Sequence, residues 1–426
     1  MSAAFEHNDM DVVFRDNTPA DVRPVPRIAI HVFAETPETN DVIERASEDR
    51  RLSKCNISLH MGGIPAAIAH YAEEGTPNLI MLESCESRDT LLADLDTLSE
   101  VCDENTRVML IGHVNDVSLY RQLTRQGVSE YLVTPLTPLQ IIESIGNLYT
   151  NPETGPIGRV IACIGAKGGV GSSTIAHNIG WCISEESGQG TVIVDYDLPF
   201  GTTGLDFNQD PVQGVFDALS APERLDDVFL DRLLVKYSDN LSLLTAPATL
   251  DSDFDMENDS YERVLDALRA QMPCVIVDLP HVWNHWMRRV LLSADEVVIT
   301  AAPDLASLRN TKNIYDLLNA RRKNDRPPLL VLNQVGIPKR PEIPLRDFSD
   351  AMGAQPTLII PHDPQFFGTA ANNGQMLGEL NPRHRTALSI SHLAGIVSRR
   401  ETHSLREEDN GKSFKDFLQH LSRKKG

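Results

Sequence analysis

The sequence has few cysteines, and none of its apolar runs is long. Its six cysteines are scattered along 426 residues without a CxxC pair, which is typical of reduced thiols in a cytosolic protein. No run approaches the roughly 18 apolar residues of a membrane-spanning helix, and the start shows no charged-then-apolar leader. We therefore expect a cytoplasmic protein that is neither secreted nor membrane-spanning.

Positive charge is also scarce. The chain has 39 lysines and arginines against 60 aspartates and glutamates, a formal net charge of −21. Because non-specific binding to DNA or RNA requires a basic face, no specific nucleic-acid partner is expected. The hydrophobic share of 41% is ordinary for a soluble globular protein.

Short apolar runs alternate with helix-period segments after a polar, acidic start. Residues 1–26 are predicted to be a disordered tail, and residues 150–158, which carry proline and glycine, a linker. The first series, residues 27–149, has predicted strands at Arg27–Ala34, Asn78–Ser84, Arg107–His113 and Glu130–Pro135. The second, residues 159–400, has them at Arg159–Ala166, Thr191–Asp197, Leu241–Pro247, Cys274–Pro280, Glu296–Pro303, Pro328–Val335 and Pro356–Asp363. This βαβ rhythm predicts an α/β protein with two doubly wound parallel sheets.

The segment Ile164–Thr174, "IGAKGGVGSST", has the form of a phosphate-binding loop between a strand and a helix. Its glycines let backbone N–H groups approach phosphate oxygens, and the following helix offers its positive end. Ser173 matches the Ser/Thr whose hydroxyl binds Mg²⁺. The predicted nucleotide-binding residues are Gly165, Lys167, Gly168, Gly169, Val170, Gly171, Ser172, Ser173 and Thr174. A glycine-rich turn without a ligand is the alternative.

Ser172 stands where this pattern expects a lysine. One charge-assisted hydrogen bond is worth about 1.5–3 kcal/mol. Its loss predicts weaker nucleotide binding, and not its abolition, because the backbone amides, Mg²⁺ and the helix end remain. Lys167 is also retained, five residues upstream.

The loop sequence "KGGVGSST" resembles the deviant Walker A motif, KGGxGK[ST]T, of the MinD/ParA/ArsA superfamily of P-loop ATPases. This resemblance implies ATP and Mg²⁺ as cofactors, and a homodimer in which Lys167 reaches the partner subunit's phosphates. "VDYDLPFG" resembles the switch I region, where Asp197 would position the attacking water and Asp195 would help hold the Mg²⁺ water shell. "CVIVDLP" resembles Walker B, with Asp278 directed toward the metal. A helix-capping acid is the alternative for any one of these residues.

Base recognition is implied at two further positions. Asn333, which ends the predicted strand "LLVLNQ", corresponds to an asparagine that contacts the purine in this superfamily. The "IIPHD" segment with Pro361 resembles the strand and loop beside the base. Both can equally be ordinary polar ends of strands.

The text around these motifs distinguishes members of the superfamily. Nitrogenase iron protein needs cysteine ligands that Cys163, Cys182 and Cys274 do not match, and DNA-partitioning relatives need a basic face. "DLPFGTTGLDFNQDPVQGVFDALSAPERLDDVFLDRLL" and "VDLPHVWNHWMRRVLLSADEVVIT" resemble the CpaE (TadZ) family of Flp (Tad) pilus assembly proteins, as do residues 27–400 as a whole. That family implies pilus assembly proteins as partners, and its members also replace the Walker lysine by a small residue.

The same resemblance implies a receiver-like, flavodoxin-type domain before a MinD/ParA-type P-loop domain. A working receiver needs an acidic pair after its first strand, an acceptor Asp after the third and a Lys after the fifth. Here "HVFAET" has no adjacent acidic pair, Glu83 takes the acceptor position and Thr134 the lysine position. Without an acidic Mg²⁺ pocket nothing organises phosphoryl transfer. Residues 27–149 are therefore predicted to serve docking or localisation, with Glu83 either a structural acid or a phosphate mimic.

The last residues form a basic amphipathic segment. Phe414, Phe417, Leu418 and Leu421 share one helical stripe among lysines and an arginine. The segment is similar in character to the membrane-targeting helix of MinD, which predicts weak, reversible contact with the inner-membrane surface. Packing on its own domain or on a partner is the alternative.

Two functions follow from these features. The first is an ATP-dependent, dimerising localisation and assembly factor for Flp pili, with slow hydrolysis. The second is a non-catalytic, nucleotide-bound scaffold. A MinD-type division-site regulator is disfavoured, because MinD chains lack the receiver-like domain.

Overall fold

The computed structural model describes residues 22, 24–103, 105–149, 157–251 and 254–399. It divides the chain into two compact units, Met1–Asn151 with Asn324–Arg326 and Pro152–Lys323 with Pro327–Gly426. The predicted amphipathic segment at the C-terminus and most of the predicted linker lie outside the described residues.

The first unit is built on a five-stranded parallel sheet of order β2-β1-β3-β4-β5. Its strands are β1 (Ala29–Ala34), β2 (Asn56–Met61), β3 (Leu79–Ser84), β4 (Arg107–Gly112) and β5 (Glu130–Val133). Its helices are α1 (Pro37–Ser47), α2 (Gly63–Tyr71), α3 (Arg88–Ser99), α4 (Val117–Arg125) and α5 (Pro138–Tyr149), with a 3-10 turn at Arg50–Leu52. All six residues of β3 are buried, because helices cover both faces of the sheet.

Local sequence explains where these helices begin. The Thr36 side chain accepts a hydrogen bond from the Thr39 amide at the start of α1, and Pro37 takes the first helical position. Ser87 caps α3 in the same way.

Two expectations for this unit are corrected. Val22 and Val25 are buried in its core, and the Val25 amide donates to the Arg51 carbonyl at 2.9 Å, so the predicted disordered tail ends before residue 26. Strand β2 was not predicted, because its sequence "NISLHM" alternates polar and apolar residues along a partly exposed edge strand instead of forming an apolar run.

The second unit contains an eight-stranded sheet of order β13-β12-β11-β6-β10-β7-β9-β8, in which only β8 is antiparallel to its neighbour. Its strands are β6 (Arg159–Gly165), β7 (Thr191–Asp195), β8 (Val235–Lys236), β9 (Leu241–Leu244), β10 (Cys274–Leu279), β11 (Glu296–Ala301), β12 (Leu329–Val335) and β13 (Leu358–Pro361). Within the described part of this unit, the two-residue β8 is the strand that the apolar runs did not indicate.

Helices pack on both faces of this sheet. They are α6 (Ser172–Trp181), α7 (Thr203–Asp206), α8 (Val215–Ser220), α9 (Asp227–Leu233), α10 (Asn258–Gln271), α11 (His285–Ser293), α12 (Leu305–Arg321), α13 (Leu345–Met352), α14 (Pro364–Asn373), α15 (Leu377–Leu380) and α16 (Arg385–Ser398). A π-helical turn, Cys182–Glu186, extends α6, and a 3-10 turn covers Pro222–Arg224. Two apolar cores lie on opposite faces of the sheet.

The prediction of two α/β folds with parallel sheets is confirmed. In the second unit, β6 lies between β10 and β11, so the segments that follow several parallel strands meet at one edge of the sheet. Such an edge is where open α/β sheets bind ligands. Among the described residues, no helix combines the length and the apolarity needed to cross a membrane.

Candidate functional site

The glycine-rich loop connects β6, which ends at Gly165, to α6, which begins at Ser172. Gly169 and Gly171 have φ angles of +78° and +87°, in the left-handed region that favours glycine. At Gly165, a Cβ atom would approach the Lys167 carbonyl oxygen to 3.0 Å. The turn therefore closes tightly, and glycine is required by its backbone conformation.

Side chains from β12 hold the outer part of this loop. The Asn333 amide nitrogen donates to the Val170 carbonyl at 2.8 Å, and the Gln334 amide nitrogen donates to the Gly169 carbonyl at 2.8 Å. Asn333 is buried, and its Oδ1 accepts from the Gln334 backbone N–H. The structure thus brings Asn333 to the loop, where it orients the backbone.

The inner part of the loop has two further partners. Asn310 of α12 donates to the Ala166 carbonyl at 2.8 Å, and His281 Nδ1 lies 3.0 Å from the Gly165 carbonyl oxygen. Together with the contacts from β12, these bonds hold the turn in shape before a ligand is present, which lowers the entropy cost of binding.

Lys167 forms an ion pair within its own chain. Its Nζ lies 2.5 Å from Oδ2 of Asp304, the residue that caps α12. Burial opposes ionisation of Asp304, but hydrogen bonds from Lys167 and from the Ser307 amide outweigh it and lower the pKa of the carboxyl. The Lys167 side chain is 39% exposed, so it remains accessible from outside.

The first turn of α6 contains Ser172, Ser173 and Thr174. All three are partly buried. The Ser172 hydroxyl oxygen is buried and has no hydrogen-bond partner among the described residues. A buried polar atom without a partner is uncommon in native proteins, and here it lies in the position where the pattern expects a lysine.

Two carboxylates converge below the loop. Asp195 ends β7 and is in register with Asp278 of the neighbouring β10. Burial, and then the nearby charge of Asp278, raise the pKa of Asp195 to about 7. Asp278 is 1% exposed, and its Oδ1 has no partner in the described part of the chain.

The buried His177 of α6 lies between these acids. Its Nδ1 lies 2.8 Å from Asp206 Oδ2, and its Nε2 lies 2.9 Å from the Thr203 hydroxyl and 3.5 Å from Asp278 Oδ2. Because the Thr203 hydroxyl donates to Asp195 at 2.8 Å, it accepts from Nε2–H. Burial would lower the pKa of His177, but hydrogen bonds to Asp206 and Asp278 outweigh this and raise it to about 10. His177 is therefore an imidazolium.

The two carboxylates fit a divalent cation. The potential ligand atoms of His177, Asp195 and Asp278 lie within 4.8 Å of one another, but the protonated His177 has no lone pair to offer, so Asp195 and Asp278 would hold the ion. The free Oδ1 of Asp278 and the Ser173 hydroxyl are oxygen donors of the kind that Mg²⁺ prefers. Bound Mg²⁺ would neutralise phosphate charge and polarise the bond to be cleaved.

The remaining predicted residues are Asp197 and Pro361. Asp197 follows β7, and its Oδ1 accepts from the Phe200 amide at 3.2 Å; burial, with a smaller contribution from Asp278, raises the pKa of its carboxyl. Pro361 is exposed at the end of β13, and β12 and β11 separate that strand from β6. Among the described contacts, none joins Pro361 to the loop.

In the first unit, Glu83 does not present the free carboxylate with which a receiver domain accepts a phosphoryl group. The Glu35 and Thr36 amides donate to its Oε2, and the Thr36 and Thr39 hydroxyls donate to its Oε1. Burial raises the pKa of Glu83, but these four bonds outweigh it and lower the pKa below its ordinary value. The carboxylate ties the start of α1 to the end of β3, as expected of a structural acid.

Comparisons with known proteins agree with this architecture. An AAA domain family model matches residues 158–330. A ParA family ATPase from Chlorobium tepidum TLS is 26% identical, with 55% of this chain and 98% of that chain covered and a TM-score of 0.51. The septum site-determining protein MinD of Synechocystis sp. is 25% identical over 232 residues, or 51% of this chain and 81% of the relative.

The pilus assembly protein CpaE of Caulobacter crescentus CB15 is 46% identical to this chain. That match covers 98% of the CpaE chain and 30% of this one, with a TM-score of 0.30. The family model, the MinD relative and the CpaE sequence identity all point to one superfamily. The chain is a CpaE-type member of the MinD/ParA superfamily.

In this CpaE-type chain, several site residues were missed from the sequence. His177 gave a signal, because it is an ionisable residue within a largely apolar segment of α6, "IAHNIG". Asp304 also gave one, since Asp directly before an apolar-periodic segment is a typical helix N-cap. Nothing local indicated that Gln334 or Asn310 contacts a loop more than 140 residues away.

Proposed function

We propose that this chain is an ATP-binding, dimerising localisation and assembly factor for Flp (Tad) pili that hydrolyses ATP slowly. The proposal rests on the preorganised loop, on Lys167 beside it, and on the buried Asp278 Oδ1, which has no hydrogen-bond partner among the described residues. Relatedness to CpaE supports the link to pilus assembly.

Each residue has a defined task in this proposal. The loop amides from Gly168 to Ser173 bind phosphate oxygens, and the start of α6 adds its positive end. Asp197, half-buried after β7, orients the attacking water. Lys167 leaves Asp304 to reach the phosphates of the second subunit, which replaces the charge missing at Ser172.

Calorimetry of Mg-ATP binding tests the first part. We expect saturable binding that is weaker than in a loop with the full lysine motif, by roughly 10-fold to 100-fold. Absence of any saturable heat at millimolar Mg-ATP would remove the ATP-dependent function.

Phosphate release tests the second part. The purified protein is expected to release phosphate slowly, and Asp197→Ala to release none while still binding ATP. The matched control is Asp210→Asn, which changes an acid outside the site. Equal phosphate release by the protein and by Asp197→Ala would favour the non-catalytic scaffold, the second candidate that Ser172 supports.

Sedimentation with and without Mg-ATP tests the dimer. We expect self-association that depends on Mg-ATP and is weakened by Lys167→Ala. Lys312→Ala is the control, because Lys312 pairs with Asp316 on the exposed side of α12. An identical sedimentation profile under both conditions would contradict the dimerising switch.

Membrane contact through residues 411–426 stays a prediction, because the segment lies outside the described residues. Deleting it should lower co-sedimentation with anionic vesicles, since both the apolar stripe and the basic charge are lost. Equal pelleting of the full chain and the shortened chain would exclude this mode of localisation.

A further inference from the structure

Side chains at the carboxyl edge of the first unit's sheet converge around His113. The residues come from neighbouring strands: Glu83 is the penultimate residue of β3, Cys85 directly follows β3, and His113 directly follows β4. The His113 Nε2 atom lies 3.0 Å from Glu83 Oε1 and 3.3 Å from Cys85 Sγ. All three ligand atoms lie within 4.8 Å of one another.

We propose that Glu83, Cys85 and His113 form a binding site for a single Zn²⁺ ion, with the fourth coordination position open to solvent. The site is independent of the nucleotide site. It lies where a receiver would hold its phosphoryl group, but it uses one sulfur, one nitrogen and one oxygen ligand.

The spacing of the ligand atoms suits tetrahedral coordination. With metal–sulfur bonds of about 2.3 Å and metal–nitrogen or metal–oxygen bonds of about 2.0–2.1 Å, neighbouring ligand atoms are roughly 3.3–3.6 Å apart. The observed separations of 3.3 Å and 3.0 Å are within a few tenths of an ångström of these values. Small side-chain rotations therefore suffice to admit the ion.

The orientation of the imidazole also favours a cation. The Thr134 hydroxyl lies 3.5 Å from the Gly112 carbonyl, to which it donates, and 2.9 Å from His113 Nδ1. In the tautomer in which this hydroxyl donates to Gly112 and accepts from Nδ1–H, the lone pair of Nε2 faces the Glu83 carboxylate. A metal ion bound by this tautomer would lie between these two acceptors and replace the Cys85 thiol proton, and Cys85 Sγ, 3.3 Å from the same nitrogen, would supply a soft ligand.

The groups that hydrogen-bond the three proposed ligands are of the kind found around metal sites. Glu83 Oε2 accepts from the Glu35 and Thr36 amides, and Oε1 accepts from the Thr36 and Thr39 hydroxyls, which have to turn away from Oε1 when the ion binds there. Hydrogen-bonded carboxylates and histidines keep ligands in place. The Glu35 carboxylate accepts from the Cys85 amide at 2.8 Å and brings further negative charge to the rim.

The thiol proton is the main cost of binding. Burial, and then the Glu35, Glu83 and Glu86 carboxylates, raise the pKa of Cys85 to about 11. A coordinated thiol loses its proton outright, so Zn²⁺ uptake at neutral pH releases a proton and is weaker than with an already ionised thiol. The three carboxylates that keep the Cys85 thiol protonated also attract the divalent ion.

Zinc titration of the full chain tests the site. Chelator-treated protein is titrated with ZnCl₂ in competition with a chromophoric chelator, without nucleotide. We expect Cys85→Ser and His113→Ala each to lower the affinity of one Zn²⁺ equivalent by at least 100-fold, and Thr134→Val, which removes the hydroxyl behind His113, by about 10-fold. Cys102→Ser and His60→Ala are the matched controls and should retain that equivalent.

Cobalt supplies a second measurement. Co²⁺ bound by the full chain should give a thiolate-to-metal charge-transfer band that is lost in Cys85→Ser and kept in Cys102→Ser. Bound Zn²⁺ should also slow alkylation of Cys85. Equal zinc uptake by the full chain and Cys85→Ser would overturn the proposal, and so would cobalt binding without the band. Either result would show that hydrogen bonds, and not a metal ion, hold the three side chains together.

Discussion

The Lys167 ammonium and the Asp304 carboxylate, 137 residues apart in the chain, form an ion pair at 2.5 Å beside the glycine-rich loop. Asp304 is already engaged as the cap of α12. The lysine that the resemblance assigns to a partner subunit is thus held by its own chain, and this pair has to open before Lys167 can cross a dimer interface.

Replacing Asp304 by Asn should therefore favour dimerisation. The side chain is isosteric and keeps a capping oxygen, but it loses the charge that retains Lys167. Because the pair is partly exposed, its strength is at most about 1 kcal/mol. A dimer opens two such pairs, so Mg-ATP-dependent self-association should tighten by up to about 30-fold. Asp316→Asn on α12 is the control, and analytical ultracentrifugation is the measurement. Weaker association of Asp304→Asn than of this control would contradict the restraining role.

Restoring a lysine at residue 172 should strengthen ATP binding. A charge-assisted hydrogen bond to phosphate is worth about 1.5–3 kcal/mol, so Ser172→Lys should lower the Kd for Mg-ATP by roughly 10-fold or more. Ser172→Ala should leave the Kd nearly unchanged, since the Ser172 hydroxyl has no partner among the described residues. Calorimetry measures both. A large loss of affinity in Ser172→Ala would show that the hydroxyl itself binds the nucleotide.

Asn333→Ala distinguishes loop support from base recognition. The amide of Asn333 is engaged by Val170 and Gln334, so its removal should weaken ATP and GTP binding by the same factor, about 2-fold to 10-fold. Gln334→Ala, which removes an exposed contact to Gly169, should have a smaller effect. A change in the ratio of ATP to GTP affinity in Asn333→Ala would instead favour the purine contact that the resemblance implies.

His177→Asn should destabilise the metal-free protein. It leaves the buried Asp278 and the partner carboxylate Asp206 without their cation, and breaking a buried pair costs about 3–5 kcal/mol. His392→Asn, an exposed change on α16, should alter the free energy of unfolding by less than about 0.5 kcal/mol. Urea denaturation measures both. A loss below about 1 kcal/mol in His177→Asn would mean that the imidazole is neutral.

The pH dependence of unfolding tests the same residue. The pKa of His177 is raised from 6.5 to about 10, so the folded state holds a proton that the unfolded chain releases. This stabilisation is present in full below the unfolded value and is lost as pH rises through the folded one. The free energy of unfolding should therefore fall between these two pH values, by up to about 1.4 kcal/mol per pH unit, and His177→Asn should flatten this decline.

The strands that were predicted best are those buried on both faces. Val160–Ile164 and Val275–Val277 are continuous apolar runs because helices cover both sides of the sheet, and their strands lie within two residues of the expected bounds. β2 and β8 were missed because an edge strand needs no such run. The resemblance to switch I and Walker B implied metal roles for both Asp195 and Asp278, and the structure places the two acids in register on neighbouring parallel strands.

The sequence by itself determined the loop, its missing lysine and the acids that follow the strands, because these depend on residue type and on short spacings. Only the tertiary structure decided their partners: His177 between the carboxylates, Asp304 on Lys167, Asn333 under the loop, and Cys85 beside His113. The physical reason is that charge and hydrogen bonding act over a few ångströms in space. Strand order, which no local pattern encodes, sets which distant residues come that close.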